Sequence, residues 1–388
     1  MLEKVKKFSR KEKPYFLFLV VFLIGSSYQL GGIFLYRWLL PFVSFMIAGW
    51  FLVKFEMSQN KIIFKNYLII PLIFFVCFVT ISLLSDSSID SKLEDLAKIF
   101  FAFGSSTLIL YLASHLTHSK LVKAVDFYHI SAILFLILEA YTRLEPFYGV
   151  ILSYSFSNSM WQLKTGSLFF NDSNAAAIFA LFNLLIIISN HRGKFFLSNR
   201  LDLLFTFFYL IIIILSYSRA SYISVIIVFS FYYFDRIFRV IFIKYIIYSL
   251  VLSAVFLFVF YDNSGLTKLK IYNDLLANLW SQELQAYLFG VGYSKGGFIY
   301  GYELGGYGHS SIALLLGYYG VFGFIFYLSF FGLFSLAFWK KIKYFLIGFF
   351  IISLSYLPPF LETIFITFSI AVAMTISEKN LKDKTHEI

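Results

Sequence analysis

The chain has 388 residues, of which 60% are hydrophobic and only 14% charged, and its mean hydropathy is +0.81. A soluble domain carries about 25% charged residues, so this composition excludes a soluble globular protein and points to the membrane. The formal net charge of +11 is therefore read first against a bilayer, and only then as a nucleic-acid surface.

A bilayer core about 30 Å thick takes roughly 20 apolar residues per helix. Taken in chain order, apolar runs of that kind predict twelve helices, at about 15–31, 35–53, 67–84, 97–114, 125–141, 174–190, 201–218, 220–235, 240–261, 310–338, 343–357 and 360–376. The runs are continuous rather than alternating, which excludes a β-barrel. The expected fold is an all-α polytopic membrane protein of about 12 transmembrane helices, with 1–388 forming a single integral membrane domain. The basic opening "MLEKVKKFSRKEKP" enters the first run without a small-residue cleavage site, so it reads as a retained span. The first two runs also fit one broken hairpin, and 310–338 is long enough to be tilted or partly re-entrant. A lone cysteine, Cys77, rules out an internal disulfide and leaves the redox compartment open.

Lys and Arg set the orientation, because cytoplasmic loops collect them. With the N-terminus inside, the cytoplasmic segments hold 23 of the 32 basic residues. Nine remain outside: Arg37, Lys92, Lys98, Arg143, Lys164, Arg219, Lys268, Lys270 and Lys295. Both termini are then expected in the cytoplasm, and the net charge is mostly a topology signal rather than a nucleic-acid patch. The outer face receives three sizeable segments, 85–96, 142–173 and the longest, 262–309. Chemistry is expected there, since the inner loops are short and hold neither GxxxxGK[ST] nor GxGxxG.

The last outer segment ends in "GVGYSKGGFIYGYELGGYGHSS" (290–311), which contains eight of the 22 glycines and closes on His309. His309 either sits beside a helix start capped by Ser310 or Ser311, or serves as a general base near neutral pH. The glycines would let backbone approach a substrate. Tyr293, Tyr300, Tyr302 and Tyr307 suit either sugar stacking or an interfacial aromatic belt. Arg219, in "LSYSRASYIS", is either a snorkelling arginine or an anion site with Ser218 and Ser221. Lys270 lies in "TKLKIYNDLLANLW", where Leu269, Leu275, Leu276 and Leu279 could form a stripe on the bilayer surface. It is either solvated beside lipid or a second phosphate contact, and Arg143, Lys164 and Lys295 belong to the same outer set. In "KTGSLFFNDSNAAAIFALF", Asn171, Asp172, Ser173 and Asn174 read as a capping cluster ahead of alanines that allow close helix packing. No His, Cys, Asp or Glu spacing supports a metal, no cofactor is called for, and acids are scarce within the spans, against an ion-coupled transporter.

Three of these segments, "KTGSLFFNDSNAAA", "SYSRAS" and "YLFGVGYSKGG…GHSSIALLLGYYGVFGFIFYL", resemble in order and spacing the bacterial O-antigen ligase and polymerase superfamily. The resemblance covers roughly 160–330, the first 140 residues matching only as a run of spans. It implies a GT-C-like, metal-independent inverting glycosyltransferase of the bacterial inner membrane, with its site on the periplasmic face and a large periplasmic loop before a late helix. The implied donor is an undecaprenyl-diphosphate-linked oligosaccharide, and a chain-length regulator is an expected partner. Carried over, Arg219 matches the family's diphosphate-binding arginine and His309 the histidine that deprotonates the acceptor hydroxyl. Lys270 stands where a second arginine usually stands, and lysine cannot make the bidentate fork. Asn174 keeps the second Asn of the family's pair, and Ser173 replaces a frequent Pro. Diphosphate or glycan contacts are thus expected from Arg219, Lys270, Lys164, Arg143, Lys295, Asn174, Tyr293 and Tyr307. The implied activity is O-antigen or capsule-type polymerase, with O-antigen ligase as the near alternative. A lipid-linked glycan flippase is the alternative of another class.

Overall fold

A computed structural model describes residues 2–27, 29–30, 33–34, 59–151, 170, 173–189, 200–216, 218–237, 246, 248–249, 253, 263–355 and 357–386. Most of these residues are helical, and a two-residue antiparallel pairing joins β1 (Gln29–Leu30) to β2 (Ile33–Phe34). The helices are α1 (Leu2–Ser27), α2 (Gln59–Leu84), α3 (Ile89–Ser114), α4 (His118–Ile151), α5 (Ser173–Ser189), α6 (Arg200–Leu215) and α7 (Arg219–Ile237). They continue as α8 (Asn263–Asn278), α9 (Leu284–Phe289), α10 (Tyr293–Ile299), α11 (Ser311–Ser353) and α12 (Glu362–His386), with short 3-10 turns at Leu279–Ser281 and Tyr302–Leu304.

Four described helices are long and apolar enough to cross a membrane: Tyr67–Leu84, Ile89–Ser114, His118–Arg143 and Ser311–Ser353. This is the architecture of an all-α membrane protein. The expected span 35–53, and nearly all of 240–261, lie outside the described residues. Several boundaries differ from expectation: α1 begins at Leu2 rather than 15, and α12 runs on to His386 rather than 376. Helix α4 runs on to Ile151, beyond the predicted end at 141. The stretches 310–338 and 343–357 join in α11, which is interrupted at Gly320 (φ 61°, ψ −165°) and Phe338 (φ −133°, ψ 21°). At 1.5 Å per residue, the segment from Ser311 to Tyr319 is only about half a membrane thick.

The chain divides into two compact units. The first comprises residues 1–69, 104–221 and 365–388. Its centre is α5, apolar around its whole circumference and almost wholly buried, as expected of a helix with neighbours on every side. Ile366 to Ile376 of α12 are similarly enclosed. Inside this unit the His129 ring on α4 meets the Tyr209 hydroxyl on α6 at 2.9 Å.

The second unit comprises 70–103 and 222–364. Its core is aromatic. Phe78 stacks on Phe103 at 5.6 Å and meets Phe360 edge-on at 4.8 Å, while Phe330 abuts Phe103 at 5.2 Å. Edge-to-face rings satisfy their quadrupoles while burying large apolar areas, which is one use for 52 phenylalanines. The Tyr327 hydroxyl reaches the Pro359 carbonyl within this packing.

Candidate functional site

Helix α8 carries one buried face. Ile271 and Leu275 pack into a cluster with Tyr300, Ala313 and Leu316, with Tyr272 and Leu279 at its edge. Residues 268, 271, 272, 275 and 279 follow the i, i+3, i+4, i+7 rhythm of a single helical face. The apolar stripe expected to lie on the bilayer is therefore in part core: Leu275 is buried here, whereas Leu276 is exposed.

That periodicity separates two lysines. Lys270 falls on the outer face, exposed, with Nζ 2.8 Å from the exposed Glu303 carboxylate. Glu303 and Leu304 hold φ values of 56° and 52°, a region that costs a non-glycine residue energy unless its surroundings enforce it. Asp274 accepts a 2.6 Å hydrogen bond from the Glu303 amide, so Lys270 and Asp274 together pin this turn. The ion pair holds Lys270 above the usual lysine pKa and Glu303 below the usual carboxylate value.

Lys268 falls on the inner face. It is largely buried, and its Nζ donates to the His309 carbonyl at 3.4 Å. Burial pushes its pKa down to about 8, because a cation taken out of water loses hydration. Four residues on, the Tyr272 hydroxyl pairs with Ser310 Oγ at 2.8 Å and donates to the Leu354 carbonyl at 3.2 Å.

His309 is partly buried just before α11, edge-on to the Tyr307 ring at 5.2 Å. The Gly308 amide donates to the Gly297 carbonyl at 2.6 Å, so α10 fixes the approach of the chain to His309. Ser310 has the backbone of a helix cap, yet its hydroxyl goes to Tyr272 and makes no capping bond to the helix amides. Ser311 likewise turns its hydroxyl to the Leu357 carbonyl. The reading of 309–311 as a simple serine cap is thus replaced by serines that tie α11 to its neighbours.

The glycines of the 290–311 stretch have a structural use that differs from the expected approach to substrate. The Val291 and Gly292 amides donate to the Gly317 and Tyr318 carbonyls at 2.9 and 3.2 Å. A Cβ on Gly290 (φ 76°) would lie 2.3 Å from the Tyr318 backbone, and one on Gly296 2.4 Å from the Gly317 backbone. Helices α9 and α10 thus dock onto the first part of α11 backbone to backbone, and side chains would hold them apart.

Asp95 of α3 closes the same arrangement. Fully buried, it accepts from the Tyr293 amide at 3.2 Å and from the Tyr319 hydroxyl at 3.3 Å. Lys98 Nζ lies 2.7 Å from the centre of the Tyr293 ring, a cation–π contact, and Tyr293 faces Tyr318 at 5.0 Å. The Tyr307 and Tyr318 hydroxyls are hydrogen-bonded.

The remaining candidates are distributed as follows. Lys295 is exposed on α10. Arg219 opens α7 and is exposed, in the first unit; Ser218 and Ser221 are buried beside it, with Ser221 Oγ donating to Ser218 Oγ at 3.1 Å. Arg143, also in the first unit, is buried and paired along α4 with buried Glu139 at 3.3 Å. Asn174 is the second residue of α5, after the buried Ser173. Lys164, Asn171 and Asp172 lie outside the described residues. His309, Lys270, Lys295, Tyr293 and Tyr307 therefore share the second unit.

Asp95 was not singled out from the sequence, and Lys268 stood there only as one of nine outer-face cations. Lys268 was legible in principle, since it shares the rhythm of Ile271 and Leu275. Asp95 carried no comparable signal, because its partners are contributed by residues some 200 positions away. Among the described residues no group of three His, Cys, Asp or Glu could hold a metal ion.

No protein-family model, curated protein or solved structure matches the chain.

Proposed function

We propose that the protein is an O-antigen or capsule-type polymerase, transferring a glycan from undecaprenyl diphosphate to the acceptor sugar of a second lipid-linked repeat unit at the periplasmic face of the bacterial inner membrane. The reading is carried by the three ordered sequence segments and by the setting of His309. The imidazole stands at the end of the folded 263–309 segment, partly buried, with a largely buried cation against its backbone.

The chemistry needs few groups. His309 takes the proton of the acceptor hydroxyl as its oxygen attacks the anomeric carbon. The bond from that carbon to the diphosphate oxygen breaks on the opposite side, giving inversion, and the lipid diphosphate leaves with the bonding pair. Cations stabilise the developing charge on the leaving diphosphate, a role that the family resemblance gives to Arg219. Lys98, Tyr293 and Tyr307 would offer rings and a charge to the glycan. The remaining partner is the bilayer that carries both lipid-linked substrates.

A lipopolysaccharide gel of a deletion strain tests the reading. Core bearing a single repeat is the predicted result. Core with no repeat would instead identify a ligase acting on the lipid A core, and an unchanged ladder would reject both.

A further inference from the structure

A carboxylate inside a membrane span is costly and ordinarily has a task. Asp95 lies in the span Ile89–Ser114 with no exposed surface, so it does not touch a substrate. Its oxygens are taken up at two places that bear on His309. One is the Tyr293 amide at the head of α10; the other is the Tyr319 hydroxyl, one residue before the interruption of α11 at Gly320. The turn ahead of α3 is fitted to the same stretch. There the Asp86 amide donates to the Gly290 carbonyl at 3.4 Å, and a Cβ on Gly292 would lie 2.4 Å from Ser87 Cβ. Lys98, held by Glu94 at 2.7 Å, covers the Tyr293 ring.

Two lines of contact run from this grip to His309, both inside the second unit. Along the backbone, α10 carries the Gly297 carbonyl that holds the Gly308 amide. Through the side chains, the Tyr293 ring faces Tyr318, the Tyr318 hydroxyl bonds to that of Tyr307, and the Tyr307 ring meets the imidazole edge-on. We propose that Asp95 is a positioning residue for His309: by holding Tyr293 and Tyr319 from α3, it fixes α10 and the row of tyrosines against which the imidazole is set. A close-packed interior passes on a displacement rather than absorbing it. A reacting group misplaced by about 1 Å loses about 10²-fold in rate, so an anchor that never meets substrate still governs turnover. The consequence for rate rests on the glycosyltransfer reading; the anchoring does not.

The test uses the full-length protein in nanodiscs with radiolabelled lipid-linked repeat units, and places Asp95→Leu in the wild-type and the His309→Ala backgrounds. Leucine leaves Lys98 its Glu94 partner, while the Tyr293 amide and the Tyr319 hydroxyl lose their acceptor. Elongation is expected to slow by about 10–100-fold where His309 is present. Where it is absent the further loss should be less than about twofold, because groups acting through one another are not additive. Asp95→Asn, which keeps an acceptor oxygen, should retain the rate to within about threefold. A merely structural role predicts the same proportional loss in both backgrounds. Should Asp95→Leu not fold, Tyr319→Phe removes only one donor and should slow elongation by about threefold, again only with His309 in place. Hydrogen exchange over 290–311 needs no activity; it should quicken in Asp95→Leu and Tyr319→Phe and stay unchanged in Asp95→Asn. Equal slowing in both backgrounds, a wild-type rate in the folded variant, or unchanged exchange overturns the proposal and leaves the glycosyltransfer reading standing. A wild type that elongates nothing overturns that reading instead, and the exchange result then decides the anchoring.

Discussion

At the scale of single residues, two positions on α8 decide how the candidate site is charged. Lys268 and Lys270 are two residues apart and opposite in surroundings, one turned toward His309 and the other toward Glu303. A pH prediction follows from the first. With its pKa near 8 against an ordinary 10.5, Lys268 is charged in the folded protein only below about pH 8, whereas in the unfolded chain it stays charged to about 10.5. The unfolded state therefore binds the extra proton between these values, and stability rises with pH across that window. Relative to Lys268→Met, the ligand-free wild type should gain stability from pH 8 to pH 10.5, measured as the difference in Tm between the two. The sequence did show which outer-face segments hold cations. It pointed to Lys270 because a resemblance compares spacing, while the face of a helix is set by what the helix packs against.

At the scale of elements, the glycine-rich stretch works by close approach. Helices α9 and α10 lie against the first part of α11 at distances that admit no side chain at Gly290 or Gly296. Gly296→Ala should lower stability by about 1–3 kcal/mol, the usual range for overpacking, because its Cβ would meet backbone rather than a movable side chain. The expected companion effect is weakened glycan transfer, since the Gly297 carbonyl holds Gly308 next to His309. Gly332, in the same helix as Gly317 but with nothing within 4 Å of its would-be Cβ, is the control. Gly332→Ala should be neutral or stabilise by up to about 1 kcal/mol through helix propensity. Thermal unfolding of both variants in one lipid checks the pair. Composition revealed that the stretch was unusual, and its position before a helix was readable from the apolar run that follows. Its purpose was not, because a glycine required by a neighbour's backbone looks the same in sequence as one left open for a ligand.

At the scale of the whole molecule, the apolar runs were the strongest signal, and four of the described helices are long and apolar enough to cross a membrane. Where they diverge, the cause is local geometry. Helix α11 joins two expected runs through the interruptions at Gly320 and Phe338, which hydropathy cannot register because both residues are compatible with an apolar span. Buried polar residues such as His129 and the Glu139–Arg143 pair were equally hard to interpret, since their partners lie on other helices or a turn away. Orientation rests on the Lys and Arg bias and can be tested directly. In a Cys77→Ala background, Lys295→Cys should react with a membrane-impermeant maleimide added outside intact inner-membrane spheroplasts. Lys379→Cys should react only after the membrane is opened. The reverse labelling would invert the topology and move the candidate site to the cytoplasm.

The central claim is that His309 is the base of a glycosyl transfer. Its most direct measurement is elongation of radiolabelled lipid-linked repeat units by purified protein in nanodiscs, comparing wild type with His309→Ala. The wild type should lengthen the glycan and release lipid diphosphate. The variant should be slower by about 10²–10⁴-fold, the usual contribution of a general base, while keeping the wild-type Tm. Elongation by His309→Ala at the wild-type rate would contradict the account.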